Sequence, residues 1–170
     1  WVPCIVMTCF ALLIAVMLAG EYHLRSNQVI NDGRIQLNES AFQLAHSLEY
    51  AYANDGQQHA QSTLSRFTLR EDAVFSALVN ASGVFEQSSR FAWHGRKIEQ
   101  FLSSEETRLV TRTISEKKHQ SLYYDGIITT AVPINLQDQD NVINTQQHQP
   151  SVLLLQSDIN HRLARITTET

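Results

Sequence analysis

Beyond residue 9 this chain contains no cysteine; its only two, Cys4 and Cys9, lie in an apolar opening run. The remainder has no disulfide framework, no CxxC redox pair and no cysteine-based metal site. An oxidising compartment is compatible with that composition but not demanded by it. Basic excess is missing too. With 13 Lys+Arg against 17 Asp+Glu, a net charge of -4 and no basic stripe with interleaved aromatics, no nucleic-acid partner is expected. The motifs GxSxG, GxxxxGK[ST] and GxGxxG are absent, which removes the usual routes to serine hydrolysis and phosphate cradling. Seven histidines, among them His23, His46, His59, His94 and His148, show no HxxxH or HxH spacing, so no metal is expected. The acidic pairs Glu105/Glu106 and Asp138/Asp140 read as solvated charge, one opening a helix and the other in a polar loop. No catalytic residue and no cofactor is expected in this stretch.

Charge is also absent from Trp1 to Gly20. About 20 apolar residues rising 1.5 Å each make a helix of about 30 Å, the thickness of a bilayer's hydrocarbon core. The run has no polar face, as a buried helix of a soluble protein would. Pro3 sits near the first turn, where its missing N–H costs little. The nearest rival is a cleavable signal, whose apolar region is usually about 7–15 residues and ends at an A-x-A-like site. Met17-Leu18-Ala19 is a poor version of that site, and in "LAGE" Glu21 stands where a lipidated cysteine would be needed. The preferred reading is a transmembrane anchor over residues 1–20, with residues 21–170 forming one domain outside the cytoplasm. The sequence opens without methionine, so flanking charge gives no orientation.

Leu37, Ala41, Leu44, Leu48 and Ala51 follow at alternating four- and three-residue spacings, with Ile30 one heptad earlier and Ile35, Phe42, Ala45 and Tyr52 alongside. That pattern predicts one long helix continuing from the anchor to near Asn54-Asp55-Gly56, packed on its own domain, on a second protomer, or on both along different parts. A short helix follows through Ala60, Leu64 and Phe67. "DAVFSALVNASGVFEQSS" predicts two strands about a turn. "SSEETRLVTRTISEKK" is a helix with a capping box from Ser103 to Glu106. "SLYYDGIITTAVPIN" is a hairpin turning at Asp125-Gly126, residues 137–150 a polar loop, "SVLLLQSD" a buried central strand, and Asp158 the cap of a last helix. Five short, mostly antiparallel strands with a long helix on one face make an α+β domain.

An apolar helix continuing into a long amphipathic one, then "DAVFSALVNASGVFEQSS", then "DGIITTAVPIN", a polar loop and "SVLLLQSDINHRLARI", resembles the Cache (PDC) sensor regions of bacterial receptors. It is similar to the periplasmic part of BarA-type hybrid histidine kinases. The resemblance implies a five-stranded PAS-like sheet and a sensory input region in the periplasm, held at the bacterial inner membrane. It further implies a homodimer, a second membrane helix after Thr170, and an output module outside this sequence. The phosphoacceptor histidine box, ATP-binding glycines, GGDEF and EAL are all absent, so any enzymatic activity belongs to the parent protein. Diguanylate cyclases and phosphodiesterases carry similar inputs, and a membrane-anchored interaction domain without ligand is the competing class. In a Cache-like sensor the pocket should lie beneath the connection after the first hairpin, which carries Arg90, Phe91, Trp93, His94 and Arg96. An arginine fork with aromatic walls suits a carboxylate, the stimulus class that the BarA resemblance implies. Tyr123 or Tyr124 is expected to add a hydroxyl donor.

Overall fold

The computed structural model describes residues 2–55, 57–136 and 151–168. The expected polar loop, residues 137–150, lies outside the described residues. The apolar run expected as an anchor and the long helix are one element, α1, Val2–Asp55, 54 residues and about 80 Å long. Among the described residues α1 is the one helix long and apolar enough to cross a membrane. Its large apolar side chains from Met7 to Leu18 are 48–77% exposed among the described residues.

Burial on α1 begins at Gly33 and continues through Leu37, Ala41, Ala45, Leu48, Ala51 and Tyr52. Leu37, Ala41, Ala45, Leu48 and Tyr52 join the core beneath the helix, with Ile30 and Leu44 half-buried against it. From Leu37 onward the stripe is covered by the short helix that follows and by the chain's own sheet, the packing on its own domain that was one of the expected alternatives. The sequence spacing was ambiguous because a helix lying on a sheet and a helix in a coiled coil both bury a face that recurs every three to four residues. Ile35 and Phe42, 50% and 42% exposed, lie outside that core.

The short helix α2, Gln57–Phe67, folds back over α1 and leads to β1, Ala73–Val79, and β2, Phe85–Ser88. Helix α3, Ser104–Glu116, carries the expected capping box, the Ser103 hydroxyl accepting from Glu106 N–H while the Glu106 carboxylate accepts from Ser103 N–H. The hairpin β3, Gln120–Tyr124, and β4, Ile127–Ile134, turns on Asp125 (φ 50°) and Gly126 (φ 76°), the left-handed pair that a two-residue turn between twisted strands needs. Strand β5, Ser151–Asp158, is followed by α4, Asn160–Thr168, whose Asn160 N–H donates to the Asp158 carboxylate at 2.8 Å.

The five strands form one antiparallel sheet in the order β2-β1-β5-β4-β3, the PAS-like arrangement. Strand β5 is central, and Val152, Leu153, Leu154 and Leu155 are all fully buried because both faces of the sheet are covered. Leu153 and Leu155 face the α1–α2 layer. Val152 and Leu154 face α3 and the connection that precedes it.

Gly33 is where α1 passes closest to the sheet: a β-carbon there would lie 2.8 Å from the Ile128 terminal methyl and 3.4 Å from Ile159. Gly33→Ala is expected to be nearly neutral, since the helical preference for alanine, about 1 kcal/mol, offsets a small shift of that methyl. Gly33→Val should cost about 2 kcal/mol by overpacking. Equal losses for both variants in denaturant unfolding would show that backbone conformation, rather than close approach, sets the constraint.

Candidate functional site

The expected site lies on the α3 face at the β2 edge. Gly95, at φ 72°, turns residues 89–102 back along β2. Gly95 N–H donates to Phe85 C=O at 2.8 Å, Phe85 N–H to Arg96 C=O at 2.9 Å, and Ile98 N–H to Gly83 C=O at 2.9 Å. This places the Trp93 ring against three others: edge-on to Phe75 at 5.0 Å, tilted to Phe85 at 5.3 Å and stacked on Phe101 at 4.9 Å. The Arg90 guanidinium lies 4.9 Å from the Trp93 ring centre and 5.9 Å from that of Phe75, and the Arg96 guanidinium lies 5.9 Å from Phe101. Cations over ring faces are attracted by the ring quadrupole, and both arginines are exposed beside one aromatic box.

Of the six expected site residues, the fold thus groups Arg90, Trp93 and Arg96. His94 is exposed, and its N–H closes a 3-10 turn onto Phe91 C=O at 3.2 Å. Phe91 is 85% exposed and outside the box. Tyr123 and Tyr124 are not brought to this cluster. They lie on β3, the opposite edge of the sheet, where Tyr123 packs against the α1-side core and Tyr124 is 64% exposed.

Sequence reasoning missed a polar trio on the same face. Phe75 pairs with Gln156, and Gln156 with Thr129, in one row across β1, β5 and β4. Above that row stands Glu106 of α3: its carboxylate accepts from Gln156 Nε2 and from the Thr129 hydroxyl at 3.3 Å, and Gln156 also donates to Thr129 at 3.1 Å. Glu106, read as solvated charge, is instead half-buried and engaged with both strands. The available signal was a Gln directly after the apolar run Val152–Leu155 of the central strand, with Thr129 in the neighbouring one, since a buried polar side chain requires a partner.

A second polar junction ties the two ends of the domain. Asp72, just before β1, accepts from the Ser157 hydroxyl at 2.9 Å and from Arg70 Nε at 3.2 Å. Arg70 in turn donates to Ser40 of α1. Arg162 of α4 lies 3.7 Å from the Asp72 carboxylate and donates to Gln36 of α1 at 2.9 Å. The junction therefore joins the incoming helix, the central strand and the outgoing helix. Burial would raise the Asp72 carboxyl, but the Ser157 and Arg70 hydrogen bonds and the Arg70 charge together hold it below its ordinary value.

No protein-family model matches this chain, and no curated protein matches it. Among solved structures, it is similar to an extracellular ligand binding receptor from Desulfohalobium retbaense, with a TM-score of 0.52 and 14% sequence identity over 79% of this chain and 24% of that one. The chain spans about a quarter of that receptor's length. The likeness is one of fold.

Proposed function

We propose that this chain is the extracytoplasmic sensory input of a membrane receptor, in which a ligand at the α3 face biases the arrangement of α1 and α4. The observation that carries the reading is the continuity of α1: one helix of 54 residues runs from an uncovered apolar segment to the sheet, and α4 returns along it through Arg162 and Gln36. A domain built this way converts any shift at the sheet into a shift between its two end helices. A ligand that prefers one of two arrangements displaces the equilibrium by its differential affinity, usually about 1–3 kcal/mol between site and output. The fold likeness to an extracellular ligand binding receptor supports this reading. The finer assignment, a homodimeric Cache-type periplasmic input of a histidine kinase in the bacterial inner membrane, rests on the BarA resemblance. A diguanylate cyclase or phosphodiesterase output is the alternative within the same class.

The proposed ligand is a small carboxylate held by Arg90 and Arg96 beside Trp93. A charge-assisted fork contact is worth roughly 1.5–3 kcal/mol. Titration of the whole chain in lipid nanodiscs with formate, acetate and larger carboxylates is therefore expected to show binding that falls about tenfold or more in Arg90→Ala and Arg96→Ala, and further in the double variant. Binding unchanged in all three variants would remove these residues from the pocket. The filled aromatic box favours one other reading, an anchored interaction domain in which Trp93 only completes the core; absence of binding by every small acid would support it.

A further inference from the structure

At the opposite edge of the sheet, between α1 and the β3–β4 ladder, lies a cleft of about 540 Å³. Its floor is apolar, formed by Phe42 of α1 with Val132 and Pro133 of β4. Phe42 is 42% exposed although the adjacent Ala41 and nearby Ala45 are buried, and His119 stands edge-on to its ring at 5.5 Å. The rim is cationic. Lys117 and Lys118 precede His119 on the wall facing α1, and among the described residues neither lysine has an ion pair. The one acid lining the cleft, Glu49, stands on the opposite wall, on α1, where it accepts Asn135 N–H at 3.3 Å and lies 3.6 Å from His46.

Lys117 also ends α3 in the left-handed region, φ 52° and ψ 36°, where glycine is the usual residue because a β-carbon is strained there. A lysine at that position carries strain that glycine would relieve, and the left-handed turn directs the chain along the cleft rim. Strain retained beside a cavity is a pointer to a role for the side chain.

We propose that this cleft is a second small-molecule site, distinct from the Arg90–Trp93–Arg96 cluster, and that it takes an organic anion with an apolar body, such as an aryl carboxylate. The carboxylate meets Lys117 and Lys118 while the body lies on Phe42, Val132 and Pro133. The volume falls in the range of sites for organic ligands, and an ion the size of acetate would leave most of the apolar floor wet. A cationic ligand is disfavoured because the two lysine charges outnumber the single carboxylate of Glu49 at the cleft.

The test uses the whole chain in lipid nanodiscs, with empty nanodiscs as the partition control. Three probes are titrated by calorimetry and saturation-transfer NMR: phenylacetate, acetate, and phenethylamine as the cationic counterpart of the first. Phenylacetate is expected to bind, acetate at this site at least about tenfold more weakly, and phenethylamine not at all. Lys117→Gly with Lys118→Ala should weaken phenylacetate about tenfold or more while the melting temperature holds or rises, because glycine suits the left-handed position. Phe42→Ser should weaken it comparably. Arg90→Ala with Arg96→Ala should leave it unchanged, which separates this site from the one proposed above. Failure of phenylacetate to bind overturns the proposal. So does binding that survives the lysine changes, or binding that is lost with the arginine pair instead.

Discussion

Glu106→Ala is expected to destabilise the domain by about 3 kcal/mol. One part is the capping box: the Glu106 carboxylate accepts from Ser103 N–H at 2.8 Å and also from the Ser103 hydroxyl at 2.8 Å, and loss of such a cap is typically worth about 1 kcal/mol. The larger part comes from Gln156 and Thr129, which are 6% and 2% exposed and would lose their shared acceptor. A buried donor left without a partner costs about 1–3 kcal/mol. Glu106→Gln keeps an acceptor in place and should retain most of the stability. Urea unfolding followed by Trp93 fluorescence checks both variants. A loss below about 1 kcal/mol for the alanine variant would mean that water replaces the carboxylate over the strands.

Asp72→Ala is expected to cost about 2–3 kcal/mol, because it leaves Arg70 and Ser157 without the carboxylate at the junction of α1, β5 and α4. The difference from wild type should depend on pH in one direction. The Asp72 carboxyl is held below its ordinary 3.8 in the folded chain: burial opposes this, but the Ser157 and Arg70 hydrogen bonds and the Arg70 charge outweigh it. Its contribution is therefore fully present above the unfolded value and is lost as pH falls from 3.8 through the folded value. Glu86 behaves oppositely, since burial raises its carboxyl against a partial offset from the Ser151 hydroxyl. It is present in both proteins, so the difference between them isolates Asp72. A stability difference that does not shrink in acid would assign the loss to packing rather than to the charge. The same variant removes the Arg162 ion pair, so α4 should be held less firmly against α1.

The element order was legible in the sequence because each element carries its own local signal. The uncharged run from Trp1 to Gly20, the four-three spacing from Leu37 to Ala51, the Ser103–Glu106 box and the Asp125-Gly126 turn all act within a few residues of themselves. The apolar run Val152–Leu153–Leu154–Leu155 even announced a strand covered on both faces, which is where β5 lies. The candidate site was only half legible. Arg90, Trp93 and Arg96 fall within one short connection, so local sequence could group them, whereas the tyrosines could be added only by assuming which edge of the sheet β3 occupies.

By itself, then, the sequence determined an α+β chain whose uncharged opening run leads directly into an amphipathic helix, because hydrophobic period, caps and turn residues act over short distances. Only the tertiary structure decided what each face meets. It packed the α1 stripe onto α2 and the sheet, separated Tyr123 and Tyr124 from Trp93 by the width of the sheet, and set Glu106 over Gln156 and Thr129. It also joined Asp72 to Arg162 across 90 residues of chain. Those outcomes follow from strand order, and strand order is settled by which long-range pairings together bury both faces of β5, a quantity that no local window of sequence contains.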